Sequence, residues 1–69
     1  MRQAAEYYHS RQQQGLRHKE WNVRFLRDGR QEFYVVFTAR DRAERAMEHW
    51  RAGATQGEMA ELFKSWGRV

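Results

Sequence analysis

The 69-residue chain contains no cysteine, no proline and no long hydrophobic run. Without cysteine, a disulfide framework, a thiolate zinc site and a thiol nucleophile are excluded. No run of about 18 apolar residues is present, so the sequence predicts no transmembrane helix. The first residues also lack the apolar segment of a secretory signal. We therefore expect a cytoplasmic protein.

Residues that commonly carry out catalysis are few and scattered. The three histidines, His9, His18 and His49, fall in separate parts of the chain, and none has the spacing to a carboxylate that is typical of a metal site. No serine lies in a strand-to-helix elbow, and no glycine-rich phosphate loop is present. The sequence therefore predicts a non-enzymatic protein that holds no metal and no cofactor.

Aromatic residues, in contrast, are abundant. Three Trp, three Tyr and four Phe in so short a chain indicate a folded domain with an aromatic core. At 69 residues the chain has room for one domain, close to the size at which a single hydrophobic core is only just sufficient. Such a chain leaves little volume for a deep active site.

The segment 25–37, FLRDGRQEFYVVF, predicts a β-hairpin with its turn at Asp28-Gly29. A two-residue loop would mix apolar and charged groups on both faces. A three-residue loop beginning at Arg27 places the apolar groups on one face and the charged groups on the other. Because a one-residue slip would move every side chain of one strand to the opposite face, we favour the three-residue loop. Arg24 is then expected opposite Glu32. One face is then apolar (Trp21, Val23, Phe25, Phe33, Val35, Phe37), and the other is polar but keeps Leu26, Tyr34 and Val36.

Two amphipathic helices follow the hairpin. In each, a Thr followed three residues later by an acidic residue has the form of a capping box: Thr38 with Asp41, and Thr55 with Glu58. Gly53 is expected to end the first helix. Apolar residues then recur at helical spacing and should cover the apolar face of the hairpin; they are Ala43, Ala46, Met47 and Trp50 in the first helix, and Met59, Leu62, Phe63 and Trp66 in the second.

The N-terminal part is harder to assign. Residues 2–14 are compatible with a helix that carries Ala4, Ala5 and Tyr8 on one stripe, so we expect residues 1–19 to form a helix or a basic arm. Residues 20–69 would form a ββαα core. The predicted fold is a small single α+β domain of order α-β-β-α-α, in which a two-stranded antiparallel hairpin packs on a helical hairpin. Its open edges favour a homodimer paired through a hairpin edge.

Positive charge is concentrated near the N-terminus. Residues 1–30 hold seven basic and three acidic side chains, whereas residues 31–69 hold six of each, so the first part accounts for the whole net charge of +4. Arginine binds phosphates and base edges, and exposed tyrosine stacks on unpaired bases. We therefore predict a regulator that binds nucleic acid, or a nucleic-acid-bound complex, through its hairpin and N-terminal segment; the expected contact residues are Arg17, Lys19, Arg24, Arg27, Arg30 and Tyr34.

A protein-binding role is the alternative. Tyrosine and arginine are enriched at the energetic centres of protein interfaces, and four residues, Tyr7, Tyr8, Leu26 and Val36, are not needed by the predicted core. On this interpretation the chain is an inhibitor or adaptor of the kind encoded by phages and mobile elements. It would dock, as a dimer, on an acidic surface of a host protein.

Overall fold

The computed structural model describes residues 2–8 and 20–68, and these form an α+β domain. The helices are α1 (Arg40–Arg51) and α2 (Gln56–Trp66), and the strands are β1 (Gln3–Tyr8), β2 (Trp21–Arg27), β3 (Arg30–Phe37) and the two-residue β4 (Gly67–Arg68). The antiparallel sheet has the order β1-β2-β3-β4. The predicted α+β class is confirmed, but the sheet has three full strands rather than two.

The predicted N-terminal helix is wrong, because Gln3–Tyr8 form the third strand, β1. All six residues pair with β2, and the Gln3 side chain donates hydrogen bonds to the carbonyl oxygens of Trp50 (2.8 Å) and Ala54 (3.2 Å). Arg51 also donates from Nη2 to the carbonyl oxygen of Ala5 at 2.8 Å. These long-range contacts outweigh the helix propensity of the alanines, which is a weak preference. The rest of the predicted helix, residues 9–14, lies outside the described residues.

β1 also changes which sheet edges are open. It occupies the β2 edge of the hairpin, and β4 pairs with β3 at Val36 and Phe37. Two copies that pair through the β2 edge would therefore have to displace β1. Dimerisation itself stays a prediction, with the outer edges of β1 and β3 as the candidates.

The hairpin turn has two residues, so the predicted three-residue loop is wrong. Asp28 has φ 52° and Gly29 has φ 81°, which is the pair of positive values that a tight type I′ turn requires. Arg27 faces Arg30 across the turn.

A β-bulge nevertheless restores the predicted faces. Leu26 pairs with Gln31 and Phe25 pairs with Phe33, so Glu32 is an extra residue in β3. From Phe33 onward the apolar side chains of both strands share one face, and they are buried or packed on the core. The segregation of the faces is confirmed, but Arg24 lies opposite Tyr34 and not opposite Glu32.

Helix α1 begins without the predicted capping box and ends as predicted. Its N-cap is Ala39, and no side chain caps it, so Thr38 and Asp41 do not form the box. At the other end Gly53 has φ 101°. The Gly53 amide donates to the carbonyl of Trp50 (3.0 Å) and the next amide donates to the carbonyl of His49 (3.1 Å), which is the Schellman pattern of helix termination.

Helix α2 begins with the predicted capping box. The Thr55 amide donates to Glu58 Oε1 at 2.7 Å, and the Glu58 amide donates to Thr55 Oγ1 at 3.1 Å. Hydrogen bonds to its carboxylate from the backbone and the side chain of Thr55, with a contribution from the charge of His49, hold the pKa of Glu58 below its ordinary value of 4.5. The box therefore depends on the ionised carboxylate.

We expect Glu58→Gln to lower the melting temperature at neutral pH and to have less effect in acid. The pKa of Glu58 is lower in the folded state than in the unfolded state. The ionised carboxylate therefore stabilises the fold fully at a pH above its ordinary pKa. This stabilisation is lost as the pH falls through the lowered pKa of the folded state. Thermal melts at about pH 7 and about pH 3 would measure the difference in melting temperature between the variant and the wild type. Glu61→Gln is the matched control, since Glu61 is an exposed residue of the same helix whose carboxylate pairs with Lys64 (3.3 Å). A difference in melting temperature between Glu58→Gln and the wild type that is as large in acid as at neutral pH would contradict the prediction.

An aromatic cluster forms the centre of the core between the sheet and the two helices. The ring of Phe63 lies 5.3 Å from Phe25 and 5.1 Å from Phe33, and Trp50 lies 6.0 Å and 5.9 Å from the same two rings. Trp50 is fully buried, and its indole N–H donates to the carbonyl of Leu26 at 2.8 Å. Both helices thus pack on one face of the sheet. Neither α1 nor α2 has the length and apolar character to cross a membrane.

Candidate nucleic-acid interface

The face of the sheet that points away from α1 and α2 is here called the outer face. Side chains alternate along a strand, so the register places a mixed set of polar and aromatic residues on it; they are Ala4, Glu6 and Tyr8 of β1, Asn22, Arg24 and Leu26 of β2, and Gln31, Tyr34 and Val36 of β3. Residues that pair across the strands are here called a row. One row consists of Tyr8, Asn22 and Val36, and the next row consists of Glu6, Arg24 and Tyr34. No helix in the described ranges packs on this face.

Tyr34 lies across the middle of the outer face. Its hydroxyl donates to Asn22 Oδ1 at 2.9 Å, so the ring leans from β3 toward β2. The residue is still 38% exposed. A tyrosine whose tip is held by a neighbouring strand offers a fixed aromatic surface with little further loss of side-chain freedom on binding.

Tyr8 is a second exposed ring on the outer face, directly across from Asn22. Tyr8 and Tyr34 stand on strands that flank β2 and are offset by one row, so their Cα atoms are roughly 12 Å apart from sheet geometry. Tyr7, the neighbour of Tyr8 in sequence, points to the helix side instead, where it lines a cleft. The sequence grouped Tyr7 with Tyr8, but the structure separates them onto opposite faces.

Arg24 is the basic side chain at the centre of the outer face. Its Nη1 lies 3.3 Å from Glu6 Oε1, and its Nε donates to Gln31 Oε1 at 3.1 Å. The side chain is 41% exposed. Two neighbours thus orient the guanidinium beside Tyr34 while part of it still faces solvent.

Arg27, one of the predicted contact residues, does not lie on the outer face with Arg24 and Tyr34. It lies on the helix side, where its guanidinium carbon is 5.2 Å from the centre of the Trp50 ring. Its Nε is 3.4 Å from Glu32 Oε2, within ion-pair range, but it makes no hydrogen bond. Arg27 therefore packs on the ring of Trp50 and is not available on the outer face to contact a binding partner.

The remaining predicted residues differ in their accessibility. Arg30 is exposed at the start of β3, beside the turn. Leu26 lies on the outer face but is only 8% exposed, and Val36 is half-buried between Asn22 and β4. Arg17 and Lys19 lie outside the described residues. By sequence, residues 9–19 carry three basic and no acidic side chains, so most of the net positive charge belongs to the chain that joins β1 to β2.

A cleft of about 660 Å³ lies on the other side of β1. Its walls are the sheet residues Tyr7 and Trp21 and one stripe of α1, which contributes apolar, acidic and basic groups together; these are Arg40, Ala43, Glu44, Met47, Glu48 and Arg51. Opposite charges are thus present in equal number around an apolar floor. Such a lining shows no preference for an anion.

Metal ligands are not grouped within residues 2–8 and 20–68, where no set of three His, Cys, Asp or Glu side chains is arranged to hold an ion. His49 is exposed and lines an open depression together with Glu58. His9 and His18 lie outside the described residues.

Asn22 is the residue of the interface that sequence reasoning missed. It lies on the polar face of the hairpin, yet it is only 4% exposed and accepts a hydrogen bond from Tyr34. Tyr8 of β1 lies beside it, and the sequence did not show β1 as a strand. No family model matches the chain, and no curated protein or solved structure is significantly similar to it.

Proposed function

We propose that this protein binds single-stranded nucleic acid on the outer face of its sheet. The observation that carries the proposal is the pair of exposed tyrosines, Tyr8 and Tyr34, on one open sheet face with Arg24 between their strands. Bases stack on aromatic rings, and each stacked base contributes about 1–3 kcal/mol. Arg24 would contact the phosphates, whereas Arg30, the cross-strand partner of Arg27, lies on the helix side of the sheet.

The charges favour a single strand over a duplex. Duplex binding relies largely on many phosphate contacts, whereas Arg27 is turned away from the outer face and Arg24 already has a carboxylate neighbour. Exposed rings, in contrast, are useful only where bases are unpaired. The basic residues 9–19 would add electrostatic attraction, as their sequence predicts.

A titration with labelled oligonucleotides at two salt concentrations tests the proposal. We expect tighter binding to a single strand than to the duplex of the same sequence. Arg24→Gln should weaken single-strand binding and reduce the slope of log K against log salt by about 0.7, the amount for one phosphate contact. Fluorescence anisotropy gives both quantities.

Arg40→Gln is the matched control for Arg24→Gln. Arg40 is also an exposed arginine beside a glutamate, with its Nε 3.1 Å from Glu44 Oε2, but it belongs to α1 on the other side of the sheet. It should leave the slope nearly unchanged. Equal effects of the two substitutions would mean that the protein's overall charge, and not the outer face, attracts the nucleic acid.

Docking on a protein is the second candidate, and the cleft beside β1 is the feature that favours it. Tyr7 and Trp21 border an apolar floor next to an edge strand, and an extended peptide can add to such an edge while placing side chains in an adjoining pocket. Absence of binding to either form of nucleic acid at low salt would favour this candidate.

A further inference from the structure

Asn22 is the buried polar side chain that the described residues place on the outer face, and its amide makes only one of its hydrogen bonds. The residue is 4% exposed, its Oδ1 accepts the hydrogen bond from Tyr34, and its Nδ2 has no hydrogen-bond partner. A buried donor without a partner destabilises a folded protein. A hydrophobic residue of similar size would avoid that cost, so the amide calls for an explanation.

The position of the unpaired donor connects it to the outer face. Asn22 lies directly between Tyr8 and Val36 in one row, and the hydroxyl of Tyr34 reaches it from the next. A base that stacks on either tyrosine is therefore next to the amide. The hydrogen bond from Tyr34 occupies the oxygen and leaves the NH₂ group to donate.

We propose that Asn22 reads the bound base by donating a hydrogen bond from Nδ2 to a carbonyl oxygen on the base edge. This inference rests on the proposed function and names its ligand more closely: a single strand containing thymine, uracil, cytosine or guanine at this position. Each of these bases carries a carbonyl oxygen, whereas adenine has only ring nitrogens as acceptors.

The burial of the Asn22 amide further favours bases that carry an exocyclic oxygen. Nδ2 is almost without solvent contact, so a ligand atom must reach below the level of the tyrosine rings. An exocyclic oxygen projects beyond the ring of its base and is suited to this, whereas a ring nitrogen is set back. Entry requires a small rotation of Tyr8, which leaves the Tyr34–Asn22 hydrogen bond in place, and exposed side chains rotate within nanoseconds.

The test compares affinities for oligo-dT, oligo-dC and oligo-dA of equal length. We expect the wild type to bind oligo-dA about three- to tenfold more weakly than the other two, the value of one hydrogen bond. Pyrimidine strands are also more flexible, which can favour their binding without any contact to Asn22. The decisive quantity is therefore how the ratio of the affinities for pyrimidine strands and oligo-dA changes in variants. Asn22→Asp, which keeps the shape and removes the donor, and Asn22→Val should both bring the ratio close to one.

Gln31→Ala is the control, because Gln31 is also an amide on the outer face but lies one row beyond Arg24. Because Gln31 also orients Arg24, the substitution should weaken binding to all three strands alike and retain the wild-type ratio. Oligonucleotide binding without discrimination in the wild type, or discrimination that survives in both Asn22 variants, would overturn the role of Asn22 and leave the proposed function intact. Failure of the wild type to bind any of the three strands would overturn the proposed function together with this inference.

Discussion

Trp50→Ala is expected to remove about 3 to 5 kcal/mol of unfolding free energy. The indole is fully buried, and its ring contacts Phe25 and Phe33 edge-on. Its removal leaves a cavity in the centre of the core and leaves the carbonyl oxygen of Leu26 without the indole N–H. A domain of this size is stabilised by roughly 3 to 10 kcal/mol in total, so the variant should be largely unfolded at physiological temperature.

Urea unfolding followed by circular dichroism measures this loss, and Trp66→Ala is the control. Trp66 is half-buried at the end of α2, where its ring lies 5.6 Å from the guanidinium carbon of Arg45. Its truncation should cost clearly less, about 1 kcal/mol for the ring contact with the arginine and a similar amount for packing. A Trp50→Ala protein with a wild-type melting temperature would mean that α1 does not pack on the sheet as described.

A double Tyr8→Ala, Tyr34→Ala protein should lose most of its affinity for single-stranded nucleic acid. Each stacked base is worth about 1–3 kcal/mol, so the two substitutions together should weaken binding by at least about thirtyfold. Neither ring belongs to the core cluster. The fold should therefore survive, and circular dichroism would verify this before anisotropy titrations with oligo-dT.

Tyr7→Ala offers a close comparison for this experiment. Tyr7 is 47% exposed and Tyr8 is 50% exposed, and both belong to β1, but they point to opposite sides of the sheet. If the outer face binds nucleic acid, Tyr8→Ala weakens binding and Tyr7→Ala does not. The reverse result would place the binding surface at the cleft beside α1.

Local signals in the sequence predicted most of the elements after residue 20. Asp28-Gly29 specified the hairpin, Gly53 specified the end of α1, and Thr55 with Glu58 specified the start of α2, because each of these features depends on a few adjacent residues. The aromatic pattern also identified the buried face. These predictions needed no knowledge of distant contacts.

Two errors are local, namely the length of the hairpin turn and the capping box of α1, and the others concern features that depend on residues far apart in the chain. β1 is a strand because β2 and α1 hold it, and its own residues give a weak helical preference instead. Arg27 lies on the helix side because the two-residue turn keeps it within β2, where it continues the alternation of Val23 and Phe25. The sequence therefore predicted most of the β2 and β3 residues of the outer face but none of those that β1 contributes.

The bulge at Glu32 separates the tip of the hairpin from its base. The turn fixes the pairing of Arg27 with Arg30, whereas the buried aromatic rings fix the pairing of Phe25 with Phe33, and the extra residue absorbs the one-residue difference between them. The tip can thus change in length or sequence without displacing the core. Arg30 therefore belongs to the variable tip of the hairpin, whereas Tyr34 belongs to the part of β3 whose register the core fixes.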